Sequence, residues 1–207
     1  MSQELLPLFP LQLVLFPGSS LPLHIFEERY KILINKCIEE TKEFGINLFH
    51  HNEFQKVGCT AVVTSVTQRY DDGRMDIIVL GRRRYTLLRY DVGRAPYMVG
   101  QVQFFVAMPE RINKKLAEAT VRLYNELVER VYKQQVPQIR IESYEPGLSF
   151  VLAQKAGMDL LQRQRLLEST SENERLKMLS SYLSGVIPKL ERLGEIERII
   201  QSDGYLT

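Results

Sequence analysis

Leu5-Leu6-Pro7-Leu8-Phe9-Pro10-Leu11, then Val14-Leu15-Phe16-Pro17-Gly18-Ser19, then Leu21-Pro22-Leu23-His24-Ile25-Phe26-Glu27, is the stretch on which the fold turns. Four of the nine prolines fall within the first 22 residues, interleaved with leucine, valine and phenylalanine. Proline removes a backbone donor and clashes with the preceding helical turn, so this segment cannot be helix interior. It reads as extended strands or sheet edges joined by a turn at Pro17-Gly18-Ser19.

Working outward, the pattern changes from Ile25 to Glu43. Apolar residues at Phe26, Tyr30, Leu33, Ile34, Cys37 and Ile38 follow a helical stripe, with Phe44-Gly45 as its end. From there to Met108 the chain is strand-like over 46–49, 57–67, 75–80, 85–90 and 97–106. Asp71-Asp72-Gly73 marks a hairpin, because glycine supplies a positive φ. Strands at this spacing, mostly antiparallel, imply a compact barrel or sandwich. Beyond Pro109 the sequence reads as helix. Leu116, Ala119, Leu123, Leu127 and Val131 form one stripe, and shorter helices are expected over 148–156 and from an Asp159 cap to Leu167. Ser171-Glu172-Asn173-Glu174 is a capping box opening a stripe through Leu176, Leu179, Leu183 and Ile187. Pro188 interrupts that stripe, which resumes at Ile196, Ile199 and Ile200, so a kink is expected there in preference to a stop. The expected fold is α+β, with a β-rich subdomain over 1–109 carrying one helix and a helical-bundle subdomain over 110–207.

The 207 residues are 44% hydrophobic and 25% charged with a formal net charge of +2, enough to bury a core and too balanced to recommend a nucleic acid or an anionic membrane as partner. No apolar run approaches the roughly 18 residues of a membrane span, the longest being Phe104 to Met108. An acid stands near the N-terminus where a secretory signal carries lysines. Two cysteines, Cys37 and Cys59, make neither a disulfide framework nor a CxxC motif and fit a reducing cytoplasm.

The wording of the opening segment is specific. Leu6 to Leu11, Val14 to Gly18, and Leu21 to Glu27 with Arg29-Tyr30 resemble the opening of the Lon protease N-terminal domain family. Further matches follow in order at Phe44-Gly45-Ile46, Val57-Gly58-Cys59-Thr60-Ala61, Asp72-Gly73-Arg74, Gly81 with Arg84-Tyr85, and Pro96-Tyr97. In the helical half, Gln164-Arg165-Leu166-Leu167-Glu168 and Glu174-Arg175-Leu176 continue the likeness. Glu28 departs from it, standing where many relatives have proline, at a first-turn position that a glutamate also suits. The resemblance implies a PUA-like barrel followed by a helical subdomain, and a role in binding unfolded or degron-bearing polypeptides, as an adaptor or beside a separate protease or chaperone. A full Lon enzyme needs a GxxxxGK[ST] loop and a Ser/Lys pair. No such loop occurs here, so no ATP-driven proteolysis is expected of this polypeptide.

Candidate chemistry is thin. His24, His50 and His51 form no HExxH or Cys/His array, and neighbouring His50 and His51 would point to opposite faces of a strand, so no metal is expected. Gly18-Ser19-Ser20 is not GxSxG, and Glu27-Glu28, Glu39-Glu40 and Asp71-Asp72 are explained by a helix start, a helix face and a turn. A small-molecule hydrolase thus lacks a nucleophile and base, and no cofactor is expected. Arg82-Arg83-Arg84, with Arg69, Arg74, Arg89 and Arg94 among Tyr70, Tyr85, Tyr90 and Tyr97, supplies the alternative reading of an RNA-binding barrel. Strand alternation argues against one basic patch. For peptide binding, an exposed apolar surface with a polar rim is required. The candidates are Leu15, Phe16 and Leu21 in the proline-rich loop with Glu27, Glu28 and Arg29 at the first helix start.

Overall fold

The computed structural model describes residues 3–93, 95–106, 109–132, 137–141 and 147–202, the last segment with side chains to Leu190 and at Arg192. Arg94, Ala107 and Met108, and the side chains of Leu193, Ile196, Ile199 and Ile200, lie outside the described residues. Two compact units form, Met1–Pro109 with Met158–Glu168, and Glu110–Gly157 with Ser169–Thr207. The segment 158–168, expected among the helices of the second half, folds with the β-rich unit.

That unit contains β1 (Gln3–Leu11), β2 (Ser20–Ile25), α1 (Glu28–Glu39), β3 (Phe44–His50), β4 (Glu53–Arg69), β5 (Met75–Asp91) and β6 (Met98–Phe104). The strands make a sheet in the order β2-β5-β4-β3-β1-β6, closed by a further β5–β6 pairing. All pairings are antiparallel except β1 with β3. The prolines fit because each has a strand neighbour in register on one side only. Pro7 faces Val99 of β6, one residue before the β3 register begins, and Pro10 faces Asn47 of β3, beyond the last β6 pair. Pro22 lies on β2, which pairs with β5 alone. A missing N–H costs little at such positions. Between β1 and β2, Ser19 N donates to Phe16 O at 3.1 Å and Gly18 has φ +76°, a tight turn in which only glycine is comfortable at the third residue.

Two expected strands, 75–80 and 85–90, are one long β5. Its first half pairs with β2 and its second with β6. The Arg82-Arg83 pair opposes Thr60 alone where the register with β4 shifts, and Arg83 N donates to the Thr60 hydroxyl at 2.9 Å. This bulge breaks the strict alternation expected there, and both arginines are exposed. The core beneath is built around Tyr85, fully buried with Leu6, Leu8, Leu87 and Val102. Its hydroxyl donates to Asn47 Oδ1, while Asn47 Nδ2 donates to Gln55 O at 3.0 Å. The ring fits because Gly45 and Gly58 lack side chains. A Cβ at Gly58 would stand 2.5 Å from Tyr85 Oη, and one at Gly45 would collide with the same oxygen.

Helix α1 starts at Glu28 and ends at Glu39, shorter than expected at both ends. Phe26 is therefore 60% exposed ahead of the helix, and Phe44-Gly45 opens β3. Tyr30, Leu33, Ile34 and Cys37 form the buried face, with Tyr30 stacked on Phe9 at 4.1 Å. Thr41, at φ +51°, turns the chain out of the helix. Helix α4, Leu160–Glu168, lies against the barrel. Asp159 Oδ1 accepts from Gln162 N at 2.8 Å and Gln162 Oε1 accepts from Asp159 N at 3.0 Å, a reciprocal box behind the expected cap.

The second unit contains α2 (Lys114–Tyr132), α3 (Leu148–Ala153) and α5 (Glu172–Ser202). The buried face of α2 is Ala117, Thr120, Val121, Tyr124, Leu127 and Val128, rotated by about one residue from the expected stripe. Val131 is 47% exposed. The difference arises because Thr120 and Tyr124 are buried, and the Thr120 hydroxyl finds carbonyl partners. The Thr120 hydroxyl donates to Leu116 O at 2.8 Å and also approaches Leu176 O at 3.4 Å. Apolar periodicity alone discounts such residues. At the α5 start, Ser171 Oγ accepts from Glu174 N at 3.1 Å as expected, but Glu174 pairs with Lys177 instead of closing the box. Glu110, distant in sequence, supplies the carboxylate, accepting from Ser171 Oγ and from Glu172 N, each at 2.6 Å. Helix α5 runs through Pro188 without a stop.

Candidate peptide-binding surface

The candidate apolar loop does not form a surface. Leu15 is 4% and Phe16 0% exposed. The Phe16 ring lies under the Arg163 guanidinium of α4 at 4.7 Å, and Arg163 donates to Val14 O at 3.3 Å. Leu15 packs where Gly81 leaves room. Both residues are core, a correction that follows from α4 covering a loop that local sequence alone leaves open. Leu21 is half-buried in β2. Glu27 ends the extended segment before α1, and its carboxylate accepts from Arg29 at 2.7 Å. Glu28 pairs with Lys31 at 2.7 Å, and Arg29 lies over Tyr30 at 4.6 Å. These charged groups serve the helix start, and with Leu15 and Phe16 buried the six candidates do not form one exposed patch.

The arginine run is likewise distributed. Arg83 reaches Glu43 at 3.1 Å and lies over Phe104 at 3.8 Å. Arg84 donates to Leu167 O at 2.8 Å and covers Phe105. The run thus divides among separate partners.

His24 Nδ1 stands 2.5 Å from Asp76 Oδ1, opposite it in the β2–β5 register, and the Tyr70 hydroxyl donates to Asp76 Oδ2 at 2.8 Å. These bonds, His24 first, lower the Asp76 pKa, and the bond to Asp76 raises that of Tyr70. His51 lies in the β3–β4 turn, not in a strand. Positive φ at His51 and Asn52 brings the His50 and His51 rings to 4.0 Å, where opposite faces were expected. Among the described residues no group of three or more His, Cys, Asp or Glu could hold a metal ion. Burial raises the Cys37 thiol to about 11 and the Cys59 thiol to about 12, which leaves both protonated and unreactive at neutral pH.

The apolar surface that does exist lies on the outer wall of β1, β6 and β5. Alternation sends Leu6 and Leu8 inward and Leu5 and Pro7 outward. The register places Leu5, Gln101 and Arg89 in one row across the three strands and Pro7, Val99 and Asp91 in the next. Leu5 is 60% and Val92 65% exposed, while Tyr90, between the outward Arg89 and Asp91, falls in the row of Leu6 and Gly100 and meets the Phe54 ring at 4.9 Å. Two depressions meet at Leu5 and Val99. One of about 460 Å³ is lined by Arg89, Tyr90, Val92 and Gln101, and one of about 310 Å³ by Pro7, Lys36, Lys42 and Tyr97. Sequence reading assigned Tyr90 and Tyr97 only to the alternative RNA-binding surface and Leu5 to none. The available signal was parity along β1, which separates Leu5 from Leu6.

The relatives of the chain place this barrel. The sequence pattern of the ATP-dependent protease La (LON) substrate-binding domain matches residues 5–185. The chain belongs to the LON substrate-binding domain family. Lon protease of Cytophaga hutchinsonii is 25% identical over 97% of this chain and 26% of its own length. Lon protease 2 of Herpetosiphon aurantiacus is 27% identical over 96% of this chain and 26% of its own. This LON domain therefore spans about a quarter of the curated relatives it matches. In structure it is similar to a Lon N-terminal domain protein from Xanthomonas campestris, with TM-score 0.67 and 23% identity, covering 86% of this chain and 98% of that one. The N-terminal domain of the Mycobacterium avium complex Lon protease gives TM-score 0.69 at 17% identity, covering 87% and 98%. The α+β fold expected from sequence is the fold of these LON domains. No helix among the described residues is long and apolar enough to cross a membrane.

Proposed function

We propose that this LON domain is a non-catalytic recognition module that binds unfolded or degron-bearing polypeptide segments in the cytoplasm, as an adaptor or in the service of a separate protease or chaperone. One observation carries the reading: an outward apolar patch of Leu5, Pro7 and Val99 beside the exposed Val92, rimmed by polar side chains, on a wall whose backbone is already hydrogen-bonded. Large exposed apolar groups on a folded domain mark interaction sites. Family membership supports a polypeptide as the occupant. Catalysis has no support in the side chains, since among the described residues the His24–Asp76 pair is joined by a tyrosine and by no serine or cysteine.

Titration of the purified protein with reduced, unfolded model proteins and with labelled degron peptides tests the proposal. Saturable binding that Leu5→Asp weakens at least about tenfold is expected, because the exposed position tolerates the charge while an apolar segment does not. Flat isotherms across a broad peptide panel would refute it.

A further inference from the structure

The two depressions differ in chemistry from a neutral apolar cleft. Arg89 Nε donates to Gln101 Oε1 at 2.5 Å, a neutral partner, and Gln101 in turn donates to Gln3 Oε1. Asp91 is engaged by the N–H of Gly93 at 2.8 Å. Across the Leu5–Val99 ridge, Glu40 is paired with Lys42 at 2.7 Å. Among the described residues neither Arg89 nor Lys36 stands in an ion pair, and with Asp91 and Glu40 also in the lining the two depressions together hold three cations, Arg89, Lys36 and Lys42, against two carboxylates, an excess of one positive charge.

The wall also limits how a chain can dock. Along this wall β6 is hydrogen-bonded to β1 on one side and to β5 on the other. Strand addition, which needs an open edge, is therefore unavailable, and recognition must run through side chains. An extended segment suits such a surface. Every second side chain faces the same way, at about 6.6–6.8 Å intervals, so apolar residues at alternate positions can straddle the Leu5–Val99 ridge.

We infer that the β1–β6–β5 wall selects extended segments with alternating apolar residues flanked by acidic ones, the apolar side chains filling the two depressions and the flanking carboxylates meeting Lys36 and Arg89. The inference rests on the polypeptide-recognition reading and specifies its substrate class. The charge preference is modest and salt-sensitive, because exposed ion pairs contribute little individually and are screened.

The test uses the full chain and three fluorescein-labelled peptides that share one alternating Leu/Val/Phe core and carry Glu, Gln or Lys flanks. Affinities come from fluorescence anisotropy at low salt and at 1 M salt. Glu flanks should bind about three- to tenfold tighter than Lys flanks at low salt, with the difference collapsing at high salt. Lys36→Glu with Arg89→Gln should erase or reverse the order, and Leu5→Asp should weaken all three peptides. Circular dichroism checks that each variant is folded. If all three peptides bind equally, or the order survives the Lys36 and Arg89 changes, the acidic preference is overturned while polypeptide recognition stands. If binding ignores Leu5→Asp, the assignment to this wall is overturned. If none of the three binds while unfolded model proteins do, the alternating-segment class is overturned. If no peptide or unfolded protein binds at all, the recognition reading itself falls.

Discussion

Gly58→Ala should be among the costliest single-methyl additions in the protein. The new Cβ would stand 2.5 Å from Tyr85 Oη, 2.6 Å from Tyr85 Cζ and 2.7 Å from the Ile46 carbonyl oxygen. Ordinary non-bonded carbon contacts are about 3.5–4.0 Å, so the ring must retreat by about 1 Å into a core where Tyr85 is 0% exposed. Overpacking of this kind costs about 1–3 kcal/mol, and the upper end applies because one obstacle is backbone in the paired strand β3. Tyr85→Phe acts differently. It deletes the hydroxyl that donates to Asn47 Oδ1, in a residue 1% exposed, at a cost of about 1–3 kcal/mol. The double variant removes one of the two Tyr85 atoms that obstruct the methyl, the hydroxyl oxygen, so its destabilisation should fall short of the sum by about 1 kcal/mol. Both cysteines are buried and lie in the β-rich unit, so thiol labelling across a urea series reports the unfolding of that unit alone. A Gly58→Ala protein within about 0.5 kcal/mol of the parent, a value typical of inconsequential surface changes, or strict additivity in the double variant would refute the reasoning.

In the helical unit, Arg175 is 3% exposed and donates to Ser149 Oγ, Ser169 O and Glu172 Oε2, the last at 2.5 Å. Glu172, 2% exposed, also accepts from Ser149 N at 2.7 Å and so joins α3 to α5. Arg175→Ala should cost about 3–5 kcal/mol by stranding a buried carboxylate, and Glu172→Gln added to Arg175→Met should cost less than Arg175→Ala; equal losses in helical melting curves would discount the charge as the cause. Hydrogen bonds from Ser171, and then from the Glu172 and Asn173 amides, lower the Glu110 pKa below its ordinary 4.5. A depressed carboxyl stabilises the fold above the unfolded pKa and loses that contribution as pH falls through the folded value. The parent should therefore exceed Glu110→Gln by about 1 kcal/mol at pH 7 and lose the advantage progressively below pH 4.5, as measured by urea titrations at several pH values; a pH-independent difference would count against the carboxylate cap.

Local chemistry was legible wherever a residue's role depends on near neighbours. The hairpin at Asp71-Asp72-Gly73 forms with Gly73 at φ +81°, and the Asp159 cap forms with its reciprocal glutamine. The exposed surface was harder to read. Leu15 and Phe16 have the composition of an open apolar loop, and nothing within that loop announces that Arg163, about 150 residues later, will roof it. The α2 face shifted for a related reason, since burial of Thr120 depends on carbonyls that accept its hydroxyl proton. Glu110 caps α5 from 61 residues before Ser171, and no local box could reveal that.

Sequence by itself determined the family, the α+β class and the placement of prolines, caps and turns, because these depend on backbone dihedrals and hydrogen-bonding needs within a few residues. It also recorded Gly45, Gly58 and Tyr85 as parts of separate family-like motifs. Only the tertiary structure showed that the three meet at one point, where two missing side chains make the space for one phenol ring. The outward wall of Leu5, Pro7 and Val99 was decided in the same way. Each residue is unremarkable in its own strand, and the surface exists only because the β1–β6–β5 register brings distant segments side by side with their outward faces in common.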